Sequence, residues 1–258
     1  MILALDIGNT NIVISIYKDG DWRNAFRYET KNIQPSNFYE NALRNLLMEW
    51  DVKPSKIEMA VISSVVPDIN NTIKVAVQSL AACYIVFLSP EIFIKLDMII
   101  PKPYEIGSDL VADAYAALNL YGDEVIVADF GTALSFTIAS KSKGIIGVTL
   151  APGLQTAVRS LVDQTAQLPM VPLEMPPSAI GHDTTTAIQA GILRGYVGLV
   201  REIVSEIRAE LGPNFILIGT GGLSSVLHPL EQDFYTINKN LTLEGMRLIG
   251  EYDIRTKP

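Results

Sequence analysis

The sequence has one cysteine, two histidines and two tryptophans. A single cysteine excludes an internal disulfide, and Cys83 lies in an apolar stretch where we expect a small buried side chain. His182 and His228 lie far apart in the chain, which argues against a zinc site. A chain without disulfides is compatible with a reducing compartment, so we expect a cytoplasmic protein.

Basic residues and long apolar runs are also scarce. Twenty Lys and Arg stand against 28 Asp and Glu, which gives a net charge of −8. This balance argues against nucleic acid or an anionic membrane as a partner. No apolar run reaches the roughly 18 to 20 residues of a membrane span, and Met1 leads into a predicted strand rather than a signal peptide. A phosphate ligand would therefore be held by backbone amides and a metal ion.

Several familiar catalytic motifs are absent. The chain has no Gly-x₄-Gly-Lys-Ser/Thr P-loop, no His-Glu-x-x-His motif and no Gly-x-Ser-x-Gly elbow. The glycine-rich stretch Gly219-Thr-Gly-Gly222 lacks the third glycine of a dinucleotide fingerprint. With 258 residues, 48% of them hydrophobic, the chain can form one large domain or two of ordinary size.

The first eleven residues carry the most informative pattern that is present. Ile2 to Leu5 predict a strand that ends at Asp6, and Ile12 to Tyr17 predict a second strand. The polar residues between them predict a tight hairpin whose backbone can approach an anion. Asp6 could hold Mg²⁺ directly or through water, because magnesium favours one or two carboxylates plus phosphate oxygens. An ordinary polar hairpin is the alternative interpretation.

The same plan recurs near the middle of the chain. Glu124 to Ala133 contain an apolar strand, then Asp129, Gly131 and Thr132, followed by a second strand. Such recurrence indicates an internal duplication. Two halves with one acidic hairpin each resemble the actin-like phosphotransferases. That resemblance implies an α/β fold of two duplicated actin-like (ribonuclease H-like) lobes with ATP in an interlobe cleft.

The remaining pattern is compatible with this organisation. The first half predicts the element order β-β-β-α-β-α-β of one such lobe, with strands alternating with covering helices. A helix from Leu110 to Leu120 is expected to cross between lobes, which places the N-terminal lobe at residues 1–120 and the C-terminal lobe at residues 121–258. A long helix is predicted from Thr184 to about Leu211. Its glycines indicate close packing, either within the chain or on a second subunit.

Five ordered stretches resemble the type III pantothenate kinases, which phosphorylate pantothenate with ATP. They are Asp6-Ile-Gly-Asn-Thr, Gly107-Ser-Asp109, Asp129-Phe-Gly-Thr132, Ala151-Pro-Gly153 and the segment from Thr184 to Gly191. Gly219-Thr-Gly-Gly222 follows where that family has its adenosine-side loop. Each motif is short, but the ordered set covers nearly the whole chain.

The resemblance implies a role for each matching residue. It implies a phosphate loop formed by Asp6, Ile7, Gly8, Asn9, Thr10, Asn11, Ile12 and Val13, with Asp6 holding Mg²⁺ through water. It implies that Asp109 is the general base and that Asp129 holds a monovalent cation, K⁺ or NH₄⁺, with Thr132 contacting ATP. It implies a pantothenate site made of Gly107, Ser108, Asp109, Leu110 and Thr184, beside the interface of a homodimer.

The chain departs from the family pattern mainly at the acceptor site. The family has Gly-Ala-Asp-Arg where this chain has Gly107-Ser-Asp-Leu110, and leucine cannot bind a carboxylate as arginine does. Ile100 aligns with a family tyrosine. Arg159 and Arg194 are candidates to replace the missing arginine, and Asp113 could share the active-site face one helical turn after Asp109. Further departures occur at Leu134, Ser135 and Ile146.

These departures leave two alternatives to a pantothenate kinase. One is a kinase of another small hydroxy acid on the same fold, which Leu110 favours. The other is a nucleotide-binding regulatory protein with weak activity. The presence of Asp6, Asp109 and Asp129 together argues against the second alternative, because a scaffold would not need all three.

Overall fold

The structure is a computed structural model, and it describes residues 1–30 and 33–257. The strands are β1 Ile2–Ile7, β2 Asn11–Lys18, β3 Asp21–Trp22, β4 Phe26–Glu29, β5 Met59–Ser64, β6 Tyr84–Phe87, β7 Glu124–Phe130, β8 Ala133–Ser140, β9 Gly144–Pro152, β10 Ile216–Thr220 and β11 Thr236–Ile237. The helices are α1 Ser36–Glu49, α2 Pro67–Leu80, α3 Pro90–Phe93, α4 Ser108–Leu120, α5 Leu154–Asp163, α6 Thr184–Gln189, α7 Gly195–Leu211 and α8 Leu241–Thr256.

The chain divides into two compact units. The first consists of Met1–Ala116 together with the stretch that begins at Thr242, and the second is Ala117–Leu241. Among the described residues, no helix combines the length and the apolar character that a membrane crossing requires.

A mixed sheet forms the centre of the first unit. Its strands have the order β3-β2-β1-β5-β6, with β4 also paired to β2. The β1–β2 pair is antiparallel, whereas β1, β5 and β6 run parallel. The buried side chains of β1 belong to the same apolar core as those of α1 and α2, including Leu5, Leu47 and Ile73. Each such side chain contributes roughly 1.5 to 3 kcal/mol when fully buried.

The second unit repeats this topology. Its strands have the order β11-β10-β7-β8-β9, in which β7, β8 and β9 are antiparallel and β7, β10 and β11 are parallel. Both units thus pair the first strand of an acidic hairpin with a later parallel strand. The predicted duplication and the α/β fold class are confirmed. The short strand β3 was not predicted, because two residues carry no detectable alternation.

The long helix predicted from Thr184 to about Leu211 is interrupted. A π-helical segment over Ala190–Arg194 separates α6 from α7. The spacing of apolar residues does not reveal this π-helical segment, because the helix continues through it with only a local change in its hydrogen bonding. Segments of this kind are frequent at functional sites.

The last helix belongs to the first unit, whereas the sequence placed residues 121–258 together. Gly245 of α8 lies so close to Ala112 that an added Cβ would collide with the Ala112 backbone. The indole Nε1 of Trp22 donates to Glu244 at 2.8 Å. These contacts join residues more than 100 positions apart, so local sequence pattern does not reveal them.

Candidate active site

The turn between β1 and β2 is held from two sides. The amide of Gly8 donates to the carbonyl of Asn11 at 2.9 Å, which closes the hairpin. From the end of β4, the hydroxyl of Thr30 donates to the Gly8 carbonyl at 2.8 Å, and its amide donates to the Thr10 carbonyl at 3.0 Å. Thr30 is buried. No sequence pattern indicates Thr30 as a site residue, because only the tertiary structure brings it to the turn.

Asp6 lies near the end of β1, between two strands. Its partner in the parallel strand β5 is Ser63, and its partner in β2 is Val13. Burial, followed by the charge of Asp109, raises the pKa of Asp6 to about 7, while a Ser63 hydrogen bond and the charge of Arg27 oppose the increase. The two carboxylates therefore interact within the first unit. A nearby cation would stabilise the ionised form of such a buried carboxylate.

The start of α4 positions the second carboxylate. The amide of Leu110 donates to Asp109 Oδ1 at 2.9 Å. An added Cβ on Gly107 would collide with the same oxygen, so glycine leaves room for this carboxylate. Burial raises the pKa of Asp109 above its ordinary value. An aspartate with a raised pKa is suited to accept a proton near neutral pH.

Two further polar residues of the first unit have clear positions. The hydroxyl of Ser108 lies 2.9 Å from that of Ser63, and both serines are buried. Asp113 is also buried and accepts a hydrogen bond from the Thr242 hydroxyl at 2.7 Å, which links α4 to α8. Asp113 thus has a structural role in joining the two helices. Ser63 was missed as a site residue, although its place at the polar end of an apolar strand was a usable signal.

The residues around Asp6 fit a magnesium ion with few protein ligands. Across residues 1–30 and 33–257, no group of three His, Cys, Asp or Glu side chains comes together as a metal site. A magnesium ion held by one carboxylate, water and phosphate oxygens does not need such a group. Asp6 supplies that carboxylate beside a turn whose backbone is fixed.

In the second unit, the hairpin of Asp129 is held by a neighbouring turn. The amide of Gly131 donates to the Ala133 carbonyl at 3.1 Å. The carbonyl of Thr132 accepts from the amide of Gly153 at 3.1 Å and from the hydroxyl of Thr156 at 2.8 Å. The two separate motifs Asp129-Phe-Gly-Thr132 and Ala151-Pro-Gly153 therefore meet in space.

The glycine-rich stretch after β10 reaches the same aspartate. Thr220 is the partner of Asp129 in the parallel β7–β10 pair. Gly221 has φ of +89°, and an added Cβ there would collide with Asp129 Oδ1. Only glycine accepts this backbone conformation and this close approach without strain. Asp129 consequently lies between its own hairpin and the glycine-rich stretch after β10.

Thr184 opens α6 and lines a cavity of about 620 Å³ in the second unit. Asp183 caps this helix by accepting a hydrogen bond from the Thr186 amide at 2.7 Å. The guanidinium of Arg194 donates to the carbonyls of Pro176 and Pro177, each at 2.9 Å. Arg194 therefore stabilises the proline-rich loop of its own unit.

The glycines of the segment from α6 to α7 lie on an exposed face. Gly191, Gly195 and Gly198 are exposed. In the described part of the chain, and apart from the adjacent residues and the backbone of the same helix, no atom lies within 4 Å of a Cβ added at any of the three. Close packing on the same chain, one of the two interpretations above, does not occur at these positions.

The two sheets and their acidic hairpins define a class of protein. Solved structures with the same fold include MreB 5 of Spiroplasma citri bound to AMPPNP, with a TM-score of 0.53 and 10% identity over 98% of this chain and 97% of that one. Another is a conserved protein of Campylobacter jejuni, provisionally described as a Baf family transcriptional activator, with a TM-score of 0.62 and 19% identity over 98% and 99%. The chain has the fold of actin-like ATPases and sugar kinases.

Sequence relatives identify the family within this class. The family model of type III pantothenate kinase matches residues 2–206. A type III pantothenate kinase of Treponema pallidum is 39% identical over 254 residues, 96% of this chain and 93% of that protein. One of Anaeromyxobacter dehalogenans is 32% identical over 97% of this chain and 99% of that protein. The chain belongs to the type III pantothenate kinase family.

Proposed function

We propose that this protein transfers the γ-phosphate of ATP to pantothenate, giving 4′-phosphopantothenate at the start of coenzyme A biosynthesis. The observation that carries the proposal is the interacting pair of carboxylates, Asp6 and Asp109, within one unit of a chain of this family. Phosphoryl transfer requires positioning and charge neutralisation more than covalent chemistry. This pair supplies one group for each task.

Asp109 is the proposed general base. Its carboxylate would accept the proton of the pantothenate hydroxyl as that oxygen bonds to phosphorus, while the bond from phosphorus to ADP breaks. The raised pKa supports this role, because a stronger base accepts the proton more readily. Gly107 and Ser108 would line the acceptor site beside it.

Asp6 is the proposed magnesium residue, and the turn that follows is the proposed phosphate loop. Mg²⁺, when bound, supplies charge neutralisation for the phosphates. The turn is braced by Thr30, so its amides are fixed before a ligand arrives. Ile7, Gly8, Asn9, Thr10 and Asn11 form or flank this turn, and Ile12 and Val13 continue it into β2.

Asp129 is proposed to hold a monovalent cation, K⁺ or NH₄⁺, and Thr132 to contact the nucleotide. A second observation supports a cation here. The hydroxyl of Thr220 is buried without a hydrogen-bond partner among the described residues, and Thr220 is the strand partner of Asp129. A buried oxygen of this kind can serve as an additional cation ligand.

We expect activity to need K⁺ or NH₄⁺ as well as Mg²⁺, and we expect Asp129→Ala to respond more weakly to the monovalent cation. The substitution should weaken activation by the monovalent cation at least about tenfold, because it removes a charged ligand. Initial rates measured against K⁺, NH₄⁺ and Na⁺ at saturating Mg²⁺ test this. Asp123→Ala, an exposed aspartate just before the start of the same strand, is the control. Equal rates in all three salts, with Asp129→Ala unaffected, would contradict the proposal.

The acceptor site contains Leu110 where the family has arginine, and this change has a kinetic consequence. The side chain is partly exposed at the start of α4. Loss of the arginine that pairs with a ligand carboxylate in a desolvated site typically reduces the binding free energy by about 2 to 5 kcal/mol. This corresponds to a loss of roughly 30- to 4000-fold in affinity. The pantothenate KM of this protein should therefore be high.

We expect Leu110→Arg to lower the pantothenate KM by roughly tenfold or more and to leave the ATP KM unchanged. Steady-state kinetics with each substrate varied in turn give both values. Leu120→Arg, which adds an arginine to the exposed last residue of the same helix, controls for added charge. A low KM in the wild type that rises in Leu110→Arg would mean that another group holds the carboxylate.

We also propose a homodimer built on the exposed glycine face of the second unit. Thr184 would then contact pantothenate beside the interface, in the cavity that it lines. Gly191, Gly195 and Gly198 are exposed and have free space around them, so a helix of a second copy can approach closely.

Gly195→Gln should convert the dimer to a monomer. Light scattering at micromolar concentration measures the change in mass directly. Ser205→Gln, also exposed on α7, is the matched control and should stay dimeric. A wild-type protein that is monomeric at this concentration, or a dimer that Gly195→Gln leaves intact, is incompatible with the proposed interface.

A kinase of another small hydroxy acid remains the second candidate, and Leu110 is the observation that favours it. A coupled assay of ADP release with pantothenate and a panel of hydroxy acids separates the two candidates. Turnover of pantothenate above all other acceptors supports the first. If the protein phosphorylates a different acid and not pantothenate, that acid is the substrate. The proposed roles of Asp6 and Asp109 are then unchanged.

A further inference from the structure

Two buried hydroxyls connect the proposed metal residue to the start of the helix that carries the proposed base. Ser63 is the strand partner of Asp6 in the parallel β1–β5 pair, so the two side chains are neighbours on one face of the sheet, and a hydrogen bond from Ser63 lowers the pKa of the Asp6 carboxyl. Ser108, the first residue of α4, has its Oγ 2.9 Å from Ser63 Oγ. The exposed fractions of Ser63 and Ser108 are 0% and 6%, so bulk water does not compete for these bonds.

The direction of the two hydrogen bonds follows from the chemistry of the groups. An ionised carboxylate only accepts, so Ser63 donates its single hydroxyl hydrogen to Asp6. Ser63 must then accept from Ser108, whose hydrogen completes the chain. A series of hydroxyls aligned in this way strengthens each bond in a buried setting. The chain Ser108 to Ser63 to Asp6 thus has one orientation whenever Asp6 is charged.

We propose that Ser63 and Ser108 are positioning residues that hold the Asp6 carboxylate in the orientation that binds the magnesium–nucleotide complex. Ser63 acts on Asp6 directly, whereas Ser108 acts only by fixing the Ser63 hydroxyl. The inference rests on the proposed function for the role of Asp6. Because Ser108 also begins α4, the same chain ties that carboxylate to the helix of Asp109.

The experiment measures ATP binding by titration calorimetry, with excess Mg²⁺ and with EDTA, in the absence of any acceptor. Ser63→Ala should weaken binding in Mg²⁺ by roughly 10- to 100-fold, since hydrogen bonds to charged groups are the stronger kind. Ser108→Ala should weaken it by about 3- to 10-fold. Binding in EDTA should be unchanged in both variants. Without an acceptor, the result is independent of whether pantothenate is the substrate.

The double variant provides the sharpest test. If Ser108 acts only through Ser63, Ser63→Ala with Ser108→Ala together should bind as weakly as Ser63→Ala alone, because contacting residues are not additive. Ser15→Ala is the control, since this serine is equally buried in the same sheet but donates to the Arg23 carbonyl at 2.7 Å. Its affinity should equal that of the wild type.

Three results would overturn the inference. Wild-type affinity in Ser63→Ala, additive losses in the double variant, or equal losses in Mg²⁺ and EDTA would each show that the hydroxyls do not position the metal residue. Circular dichroism confirms that each variant is folded. If Ser63→Ala did not fold, Ser108→Ala would still test the chain, and unchanged binding there would refute it.

Discussion

Replacing Asp109 with asparagine should reduce kcat by about 10²- to 10⁴-fold while the fold and ATP binding persist. Loss of a general base typically has this effect. Asparagine is nearly isosteric, and its side-chain oxygen can still accept from the Leu110 amide, which donates to Asp109 Oδ1 at 2.9 Å. The raised pKa of Asp109 predicts an acid limb in the wild-type rate profile, and the variant should lack that limb.

Glu105→Gln provides the comparison for this variant. Glu105 is exposed on the segment before α4 and pairs with Lys102 at 2.9 Å, so its neutralisation should leave kcat unchanged. Stopped-time assays across pH 5 to 9 measure both variants. An Asp109→Asn protein that retains more than about half of the wild-type kcat would show that another group accepts the proton.

Replacing Asp6 with asparagine should abolish magnesium-dependent ATP binding and make the metal-free protein more stable at pH 8. The pKa of Asp6 is raised in the folded state from its ordinary value of 3.8 to about 7. Protonation therefore favours the folded state, and the associated stability is lost as pH rises through about 7. At 1.36 kcal/mol for each unit of pKa shift, the free energy of unfolding of Asp6→Asn at pH 8 should exceed that of the wild type by at most about 4 kcal/mol. This difference should vanish near pH 4.

Urea unfolding in EDTA at pH 5 and pH 8 measures this pH dependence. Asp21→Asn is the control, because that aspartate is exposed in the same unit and asparagine can keep the hydrogen bond from the Trp22 amide. The free energy of unfolding of Asp21→Asn should change between pH 5 and pH 8 by the same amount as that of the wild type. A variant at Asp6 that is less stable than the wild type at pH 8 would contradict the assigned burial of charge.

The carboxylate that is proposed to bind magnesium lowers the stability of the metal-free protein. Asp6 lies beside buried neighbours and feels the charge of Asp109, so the apoprotein is destabilised by the group that binds the ligand. A bound cation removes this destabilisation and should stabilise the protein in proportion to its binding. Ser63 reduces the same cost by donating to the carboxylate.

The sequence by itself determined the fold class and the nature of the site. Apolar strands that end in Asp6 and Asp129, each followed by a glycine-containing turn, predicted two copies of one hairpin, and both copies occur. These features are local, because strand periodicity and turn chemistry depend on neighbours within a few residues. The ordered motifs also predicted the family, which the family model and the relatives confirm.

Only the tertiary structure decided which distant residues complete each site. Strand pairing brings Ser63 to Asp6, a hydrogen bond joins Thr30 to the turn at Gly8, and a close backbone approach brings Gly221 to Asp129. No spacing along the chain encodes these contacts. The return of α8 to the first unit depends likewise on the Gly245 contact with Ala112. The raised pKa of Asp6 has the same origin, because burial and the charge of Asp109 act through space rather than along the sequence.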